Sequence, residues 1–428
     1  MIIWLLVIIF LVITYLLAKE DLLWAVGWLI FMAPSYIVRL NFFGIPTNAL
    51  ELGIYVVFLV WIIRIIRGKS SFRWRKFYWL PLILLFVALL SIVLVADDRK
   101  MSLGLWKGWI FDPILIFLIV SHEFSKLVQI SWIKSGFLFL VGMLGTIGIW
   151  QWLTGNIDTV DGRLAVFFTS ANYLAMLLAS GLSFLLAGFL LEKKRKWWEI
   201  IFLVLGLWAL IASGSFISVF ALVLTVGWMV LAGWQKKGNV ILWVIFGCVL
   251  VAAIFFGTQI GSERMSNMLD FNKRSSVTVR MQVWQTAWAM VAENPVIGIG
   301  LGNFEKKYIE YLPKVVANPL EWRMLHAHNF WLQTWLTMSI FGLLVFLMIV
   351  VYSWWLGMRT IKRLEKQFWV IYGLMGYLLS FVLVGLLDTP YYKNDFSLIF
   401  WIMIGLLVVL TKILQKEKRY LKKMGKKI

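Results

Sequence analysis

The stretch from His326 to Leu332, HAHNFWL, marks an abrupt change in this chain of 428 residues. Before it lies the longest polar segment of the sequence, residues 258–328, and after it an apolar run continues to about residue 353. An α-helix needs about 20 predominantly apolar residues to cross a bilayer. Similar runs fill most of the chain on both sides of the polar segment, so this junction predicts the general plan: membrane helices around one long loop.

The composition agrees with that plan. Hydrophobic residues make up 62% of the chain and the mean hydropathy is +0.87, whereas a soluble domain is about half apolar. The apolar runs are continuous rather than alternating, which excludes a transmembrane β-barrel. We predict an all-α fold, a polytopic transmembrane helical bundle of about 12–13 spans. The approximate candidate spans are 2–18, 22–38, 48–66, 77–96, 106–121, 131–153, 165–190, 198–212, 216–233, 239–257, 329–353, 367–387 and 396–414.

These spans divide the chain into four parts. Residues 1–257 hold about ten transmembrane helices, and residues 258–328 form an extracytoplasmic catalytic loop that contains an amphipathic helix. Residues 329–414 hold three further transmembrane helices, and residues 415–428 form a basic cytoplasmic tail. The first run lacks a basic leading segment and a small-residue cleavage site, so we interpret it as a retained membrane segment rather than a signal peptide.

The net charge of +20 comes from 41 Lys and Arg against 21 Asp and Glu. In a soluble protein this excess would suggest a nucleic-acid partner. Here the basic residues cluster in short loops between apolar runs, as the positive-inside rule predicts for cytoplasmic loops. We therefore expect no nucleic acid and a lipid bilayer as the surroundings. Counting alternate loops places on one side the basic segments 64–76, 193–196, 236–237, 359–366 and 412–427, and 258–328 on the other.

Metal chemistry has little basis in the sequence. The single cysteine, Cys248, lies inside an apolar run, so an intrachain disulfide is excluded and a cysteine-based metal site is disfavoured. The pair Asp97-Asp98 and the pair Asp158 and Asp161 are carboxylates on the outer side. A divalent cation needs several converging oxygens, so we interpret these residues as solvated charges or sugar contacts and predict no metal site.

Two arginines on the outer side stand apart from the basic loops. Arg163 directly precedes an apolar span, and Arg280 borders the apolar face of a predicted helix. A cation at that depth lies near the outer headgroups, where a phosphate would be. The apolar residues that define the face, at helical spacing, are Val277, Met281, Trp284, Trp288 and Val291.

After this helix, Gly298, Gly300 and Gly302 alternate with Ile299 and Leu301. Alternating glycines predict a tight, exposed backbone that approaches a partner closely. They are not a phosphate-binding fingerprint, because no strand precedes them.

His328 is the candidate catalytic residue. A histidine at a membrane edge can simply cap the following span, but His328 ends the longest outer loop and Asn329 begins the next helix. A rigid helix end would fix the imidazole, and the two outer arginines are available for an anionic substrate. A neutral imidazole, whose ordinary pKa is near 6.5, can accept a proton from a hydroxyl as a general base.

These residues also resemble a known family. The run 328–333, HNFWLQ, followed by Gly342-Leu343-Leu344, resembles the signature of the O-antigen ligase and polymerase superfamily. The segment 293–304, ENPVIGIGLGNF, is similar to that family's loop, and Gly162-Arg163-Leu164 with 170–175, SANYLA, is similar to its arginine motif.

The chain departs from the family pattern at two backbone positions. Ser339 stands where many members have the first glycine of a pair, and Val166 or Phe167 stands where a glycine usually follows the arginine. Our count of 13 spans also exceeds the family's usual twelve by one.

The resemblance implies a metal-independent glycosyltransferase without a cofactor, in the bacterial cytoplasmic (inner) membrane, with its active site on the extracytoplasmic side. The donor would be a glycan carried on undecaprenyl diphosphate, and the acceptor a glycan, lipid or protein. In this scheme His328 is the base and Arg280 and Arg163 bind the diphosphate. The residues expected to contact substrate or support the loop are His326, Asn329 and Asn303.

Several activities fit the same motifs. A ligase attaches the glycan to a lipid A-core, a polymerase joins repeat units, and a protein O-oligosaccharyltransferase modifies Ser or Thr. We favour the ligase, because the histidine is followed directly by Asn and the long loop precedes a late span. A transporter or flippase would instead need ionisable residues within spans and related halves. The sequence shows few such residues and no internal repeat.

Overall fold

The computed structural model describes residues 2–42, 45–157, 159, 162–192, 196–233, 247, 250–251, 253–258, 260, 274–362 and 368–423. Some expectations lie outside these residues. They are most of the span 239–257, the loop segment 261–273, Asp158 and Asp161, the basic segments 193–195 and 236–237, and the tail from 424 onward. The division of the chain into four parts stays a prediction.

The described residues form fifteen α-helices and one short β-hairpin. The strands are β1 (Arg39–Phe42) and β2 (Ile45–Asn48), paired antiparallel. The helices are α1 (Ile2–Glu20), α2 (Leu22–Phe31), α3 (Ala49–Ile66), α4 (Trp79–Val95), α5 (Arg99–Trp106), α6 (Asp112–Glu123), α7 (Ile130–Thr154), α8 (Ala171–Leu191), α9 (Trp197–Ala212), α10 (Phe216–Gly233), α11 (Ser276–Glu293), α12 (Phe304–Val315), α13 (Phe330–Ile361), α14 (Trp369–Gly385) and α15 (Asn394–Lys423).

Eight helical segments in the described ranges are long and apolar enough to cross a membrane. Four shorter apolar helices, α2, α9, α10 and α14, accompany them. The predicted polytopic helical bundle is therefore confirmed, and the chain is a multi-pass membrane protein. The hairpin is the one departure from the all-α expectation in the described part of the chain.

The bundle has a centre and a periphery. The apolar segment of α15 is 89% buried and that of α8 is 78% buried, whereas that of α1 is only 22% buried. Helix α8 packs on α14 and α10, and α15 packs on α6 and α13. Helix α1 touches α2 and α3 and leaves most of its surface outside the protein. In a membrane that surface meets lipid.

Asp112 and Pro113 lie within one continuous helical segment, Arg99–Glu123. A short π-helical segment, Lys107–Phe111, joins α5 to α6 just before Pro113. Proline has no N–H for the preceding turn, and a wider turn absorbs the mismatch without breaking the helix. The membrane segment consequently runs from Arg99 to Glu123.

Helix α13 contains a break that the glycine loop fills. At Met338 and Ser339 the backbone leaves helical geometry, and Ser339 has a φ of 69°. The freed carbonyl of Leu336 accepts hydrogen bonds from the N–H groups of Ile299 (2.7 Å) and Gly300 (3.2 Å). Backbone groups in an apolar environment need such partners. The loop therefore completes a membrane helix.

The geometry of this loop requires its glycines. Gly298, Gly300 and Gly302 have φ values of 77°, 86° and 88°, a region in which L side chains are strained. A side chain on Gly298 would collide with the Leu336 carbonyl, and one on Gly300 would meet Val95. The close approach is as expected, but Gly298 and Gly300 are buried rather than exposed.

The described part of the long polar segment, residues 274–328, has a small hydrophobic core of its own. Helix α11 buries Val283, Ala287 and Met290 against Tyr308 and Leu312 of α12. A helix is present where the sequence predicted one, but the inward face of α11 is rotated from the expected one. Met281 and Trp288 are exposed, at 44% and 55%. Helix α12 was not anticipated.

Candidate active site

The imidazole of His328 faces a carboxylate from a distant part of the sequence. Nδ1 of His328 lies 3.2 Å from Oδ1 of Asp388. Asp388 follows α14, and its side chain is only 5% exposed, whereas that of His328 is 30% exposed. The pair thus has a buried end and an open end, and the histidine is at the open end.

The ionisation of Asp388 determines the tautomer of His328. Burial by itself raises the pKa of Asp388, but the charge of His328, its hydrogen bond, the charge of Arg280 and the Thr389 N–H together lower that pKa below its ordinary value. An ionised carboxylate only accepts hydrogen bonds. Nδ1 of His328 therefore donates, which leaves Nε2, on the opposite edge of the ring, as the basic nitrogen.

Arg280 approaches the same carboxylate from α11. Its Nη2 lies 3.5 Å from Oδ2 of Asp388, and its side chain is 16% exposed. This distance makes the contact an ion pair rather than a tight hydrogen bond. The structure thus brings two predicted site residues, His328 and Arg280, together on the two oxygens of Asp388. The sequence analysis did not identify this carboxylate.

The backbone around His328 is strained and firmly held. His328 has a φ of 46°, which is uncommon for a residue other than glycine. The preceding Ala327 is fully buried; its carbonyl accepts from the Trp284 indole (3.0 Å) and its N–H donates to the Gln333 side chain (2.7 Å). Trp284 lies one turn beyond Arg280 on α11. The same face of one helix therefore fixes both the histidine loop and the arginine.

Asn329 secures the start of α13. Its side-chain oxygen accepts from the Leu332 N–H at 3.0 Å, as an N-cap residue does, and its amide donates to the Leu386 carbonyl at 3.0 Å. The second bond joins the beginning of α13 to the segment that carries Asp388. Asn329 thus holds together the two pieces of chain that supply the pair.

Asn303 lies farther along the glycine loop. Its amide donates to the carbonyls of Val95 (3.0 Å) and Ile299 (2.8 Å), and the residue is 3% exposed. These contacts are those of loop support.

Arg163 is anchored on another side of the bundle. Its Nε donates to the Ser213 carbonyl at 2.7 Å, and its Nη2 donates to Oδ1 of Asn172 at 2.6 Å. Both partners lie at helix ends, at the end of α9 and the start of α8. Val166, close by, has a φ of 58°, so the backbone does adopt the left-handed conformation that glycine provides more easily.

The segment 388–395 links these two regions. Next to Asn172, the Tyr173 hydroxyl donates to Asp395, and the Lys393 ammonium lies 3.7 Å from the centre of the Tyr173 ring. Burial lowers the pKa of Lys393, which the charges of Asp395 and Asp388 partly oppose. Seven residues after Asp388, the chain has therefore reached the Arg163 side.

His326 faces a different environment from His328. It lines a polar cavity of about 760 Å³ together with Trp109, Tyr392, Lys393 and Arg39. Its ring lies 6.3 Å from that of Tyr392 and 6.4 Å from that of Trp109. Burial, followed by the charges of His328 and Lys393, lowers its pKa to about 4. His326 is thus a neutral imidazole in an aromatic wall.

Asp388 and Lys393 are the residues that sequence reasoning missed. In the sequence, the segment 388–395, DTPYYKND, is a short loop of mixed charge between two apolar runs. One available signal was that its polar residues lie between two apolar runs, on the side predicted for His328. Asp97 and Asp98 have structural partners: Asp97 pairs with Lys306 at 2.5 Å, and Asp98 caps α5.

Two lysines in the membrane helices have acidic partners. Lys107 contacts Glu51 at 2.7 Å, and Lys134 contacts Glu192 at 2.6 Å and Glu199 at 2.9 Å. Buried charges that compensate one another contribute to the architecture. They provide no support for the transporter interpretation, which depends on such groups having a transport role.

Comparison with known proteins identifies part of the chain. Residues 201–347 match the family model described as O-antigen ligase. The matched segment contains Arg280, Asn303, His326, His328 and Asn329, whereas Arg163 and Asp388 lie outside it. No curated protein matches the chain. The match over residues 201–347 agrees with the resemblance carried by the HNFWLQ motif.

Proposed function

We propose that this protein is an O-antigen ligase-like glycosyltransferase of the bacterial inner membrane, active on its extracytoplasmic side. It moves a glycan from undecaprenyl diphosphate to an acceptor hydroxyl, on lipid A-core or a similar molecule. The observation that carries this proposal is the convergence of His328 and Arg280 on the Asp388 carboxylate, inside and beside the segment that matches the O-antigen ligase family. That family implies lipid-linked glycan substrates.

His328 has the geometry of an oriented general base. Asp388 holds Nδ1, so the lone pair of Nε2 faces away from the carboxylate and toward the open end of the pair. A base that is positioned by a second group is the arrangement by which hydroxyl nucleophiles are commonly activated. The strained backbone at His328 is the kind of feature that accumulates at functional sites.

Arginine suits the leaving group. Diphosphate carries negative charge that increases as its bond to the sugar breaks, and guanidinium groups match phosphate oxygens in pairs. The Arg280 side chain is largely buried, and its charge is balanced by Asp388 at one edge only. In the proposed complex the other edge of Arg280 contacts the diphosphate, and Arg163 contacts it from the region that the segment 388–395 joins to Asp388.

The proposed step is one displacement. Nε2 of His328 takes the proton of the acceptor hydroxyl, and the acceptor oxygen forms a bond to the anomeric carbon of the donor sugar. The bond from that carbon to the diphosphate oxygen breaks, and undecaprenyl diphosphate leaves with both electrons. The proton remains on His328 until solvent removes it.

The test is transfer by the His328→Ala protein. We expect glycan transfer to fall by about 10²–10⁴-fold, the usual contribution of a general base, while undecaprenyl-linked glycan accumulates. His122→Ala is the matched control, because His122 packs on Phe72 and Tyr78 near the basic loop 64–76. The assay measures glycan-bearing acceptor and lipid-linked donor in the same membranes, at equal protein levels. Unchanged transfer by His328→Ala would refute the assignment.

The same assay identifies the acceptor class. A ligase yields lipid A-core that carries the whole glycan. Loss of polymer length with single units still attached would indicate a polymerase instead, and glycan on Ser or Thr side chains an oligosaccharyltransferase.

A further inference from the structure

An apolar groove runs along the outside of the bundle next to the polar cavity. It has a volume of about 540 Å³ and is formed mainly by α1, α2 and the short 3-10 helix Ala33–Ile37. Apart from Ser35, the side chains that line it are apolar. Even the indole N–H of Trp28 is occupied, because it donates to Thr14 at 3.1 Å. The groove therefore offers nothing but apolar surface to most of a ligand's length.

The groove and the cavity are adjacent. Ile37 and Phe167 line both of them, and both are exposed, at 42% and 39%. Phe167 belongs to the same loop as Arg163, the proposed diphosphate ligand. These two side chains therefore form the boundary between the largely apolar groove and the more polar cavity.

The polar side carries cations as well as acids. Arg39, Lys100 and Lys393 line the cavity, and so do Glu51 and Asp98. Glu51 is already paired with Lys107, and Asp98 caps α5. The cations on this side therefore suit the anionic head of an amphiphile whose tail lies in the groove.

The groove also lies at the required depth. Arg64 of α3 donates to the carbonyl of Lys19 at 2.6 Å, so the end of α1 lies beside the predicted cytoplasmic loop 64–76. The groove is formed by the other half of α1, where it is lined by residues from Ile3 to Ile13. With this orientation the groove is in the outer half of the membrane, where a lipid-linked donor would enter.

We propose that this groove binds the isoprenoid chain of the lipid-linked donor and that its head group passes through the cavity at His326 on its way to Arg280 and Arg163. The inference rests on the proposed function for the choice of an isoprenoid as occupant. The residues that line the groove lie outside the segment that matches the O-antigen ligase family, so the family comparison does not assign them.

Adjacent positions on α1 provide a matched test. Leu6 and Ile9 line the groove and are 59% and 46% exposed, whereas Leu5 and Ile8 are 57% and 55% exposed and do not line it. The variant Leu6→Trp/Ile9→Trp fills the groove. The variant Leu5→Trp/Ile8→Trp adds the same bulk to a neighbouring face of the same helix. We therefore expect the two variants to have similar folding stability.

The measurement is the Kd of the full-length protein in nanodiscs for undecaprenyl diphosphate and for geranyl diphosphate. The two probes share a head group and differ in chain length. We expect the groove variant to lose about tenfold in affinity for the long probe, because apolar contact along the chain is lost. The control variant keeps the wild-type Kd, and geranyl diphosphate binds all three proteins alike. Equal Kd values for the two variants would overturn the inference.

Two further results separate the alternatives. A photoreactive residue at position 6 should crosslink to undecaprenyl diphosphate, whereas one at position 5 should not; equal crosslinking overturns the inference even if a tryptophan variant misfolds. Competition by diacyl phospholipid as strong as by undecaprenyl phosphate would make the groove a phospholipid site and also overturn it. If the groove result holds but His328→Ala still transfers glycan, only the proposed function fails. If His328→Ala is inactive and the two tryptophan variants bind alike, only the groove inference fails.

Discussion

Two histidines separated by one residue have opposite environments in this protein. His328 points at the ionised Asp388 and is 30% exposed, whereas His326 lies against the rings of Trp109 and Tyr392 in the cavity wall. Nδ1 of His326 has no hydrogen-bond partner among the described residues. A carboxylate stabilises the protonated form of an imidazole, and an apolar wall opposes it.

The comparison indicates that the two histidines of one short loop have different roles. The residue between them, Ala327, is fully buried and is fixed by Trp284 and Gln333. It holds the two rings toward different sides. These environments agree with the proposed role of His328 as the base and with the prediction that His326 contacts substrate or supports the loop.

Of the variants considered, Asp388→Asn should lower glycan transfer the most. It removes the carboxylate charge that distinguishes the environment of His328 from that of His326. An Asn amide can donate to Nδ1 of His328 and so leave the wrong nitrogen with the lone pair. We expect kcat for glycan transfer to fall on the order of 10³-fold, with a smaller change in KM. The measurement is steady-state transfer with saturating lipid-linked donor.

The control for this variant is Asp97→Asn, in which another outer carboxylate loses its ion pair with Lys306. Its activity should match that of the wild type. Asp388→Glu, which keeps the charge, should recover part of the lost kcat. If Asp388→Asn is as active as the wild-type protein, Asp388 does not position the base.

Arg280→Lys tests the other partner of Asp388. Lysine keeps the positive charge but lacks the planar, paired N–H groups that fit diphosphate, so kcat/KM should fall by roughly 10–100-fold. The matched control is Arg274→Lys, in the same outer loop, where Arg274 is 68% exposed and pairs with Glu321. Equal losses in the two variants would show a general need for arginine in this loop rather than a diphosphate contact.

His326→Gln tests whether His326 is neutral in the folded protein, through the pH dependence of folding stability. The ordinary histidine pKa is 6.5, and burial lowers that of His326 to about 4. Between these values the unfolded chain binds a proton that the folded chain does not. Stability therefore falls as the pH decreases from about 6.5 to about 4. The thermal midpoint in detergent should decline over this window less steeply in His326→Gln than in the wild type. Parallel pH profiles for the two proteins would contradict a buried neutral His326.

Local sequence patterns were sufficient for much of this protein. Apolar runs of membrane length predicted the bundle, and the spacing in α11 predicted an amphipathic outer helix. His328 and Arg280 could be assigned to one candidate site in advance, because they lie in one polar segment between apolar runs.

The remaining features depend on contacts between distant parts of the chain. Asp388 meets His328 across 60 residues of sequence, and no periodicity specifies such a contact. The face that α11 buries was misjudged, because Tyr308 and Leu312 of the unanticipated α12 cover one side of it. The break at Ser339 was also hidden, since serine gives no sign of left-handed backbone where glycine would.

Ser339→Gly should produce the smallest change, in the opposite direction. Ser339 and His328 both have left-handed backbone, with φ values of 69° and 46°. The strain at His328 accompanies a proposed catalytic role, whereas Ser339 shapes the break that receives the glycine loop. Glycine adopts this conformation without strain, so the substitution should stabilise the protein by about 1 kcal/mol. The only side-chain bond it removes among the described residues is a long one, 3.4 Å from the Gly342 N–H to the serine oxygen.

The control is the same substitution elsewhere in α13. Ser353 is buried and has helical backbone, so Ser353→Gly should lower stability by roughly 0.5–1 kcal/mol, the usual cost of glycine inside a helix. Opposite shifts in the thermal midpoint, with glycan transfer retained by Ser339→Gly, would distinguish strain that shapes a helix break from strain at the reacting group. A loss of transfer in a stabilised Ser339→Gly protein would instead show that the strained backbone of α13 acts on the site that begins at His328.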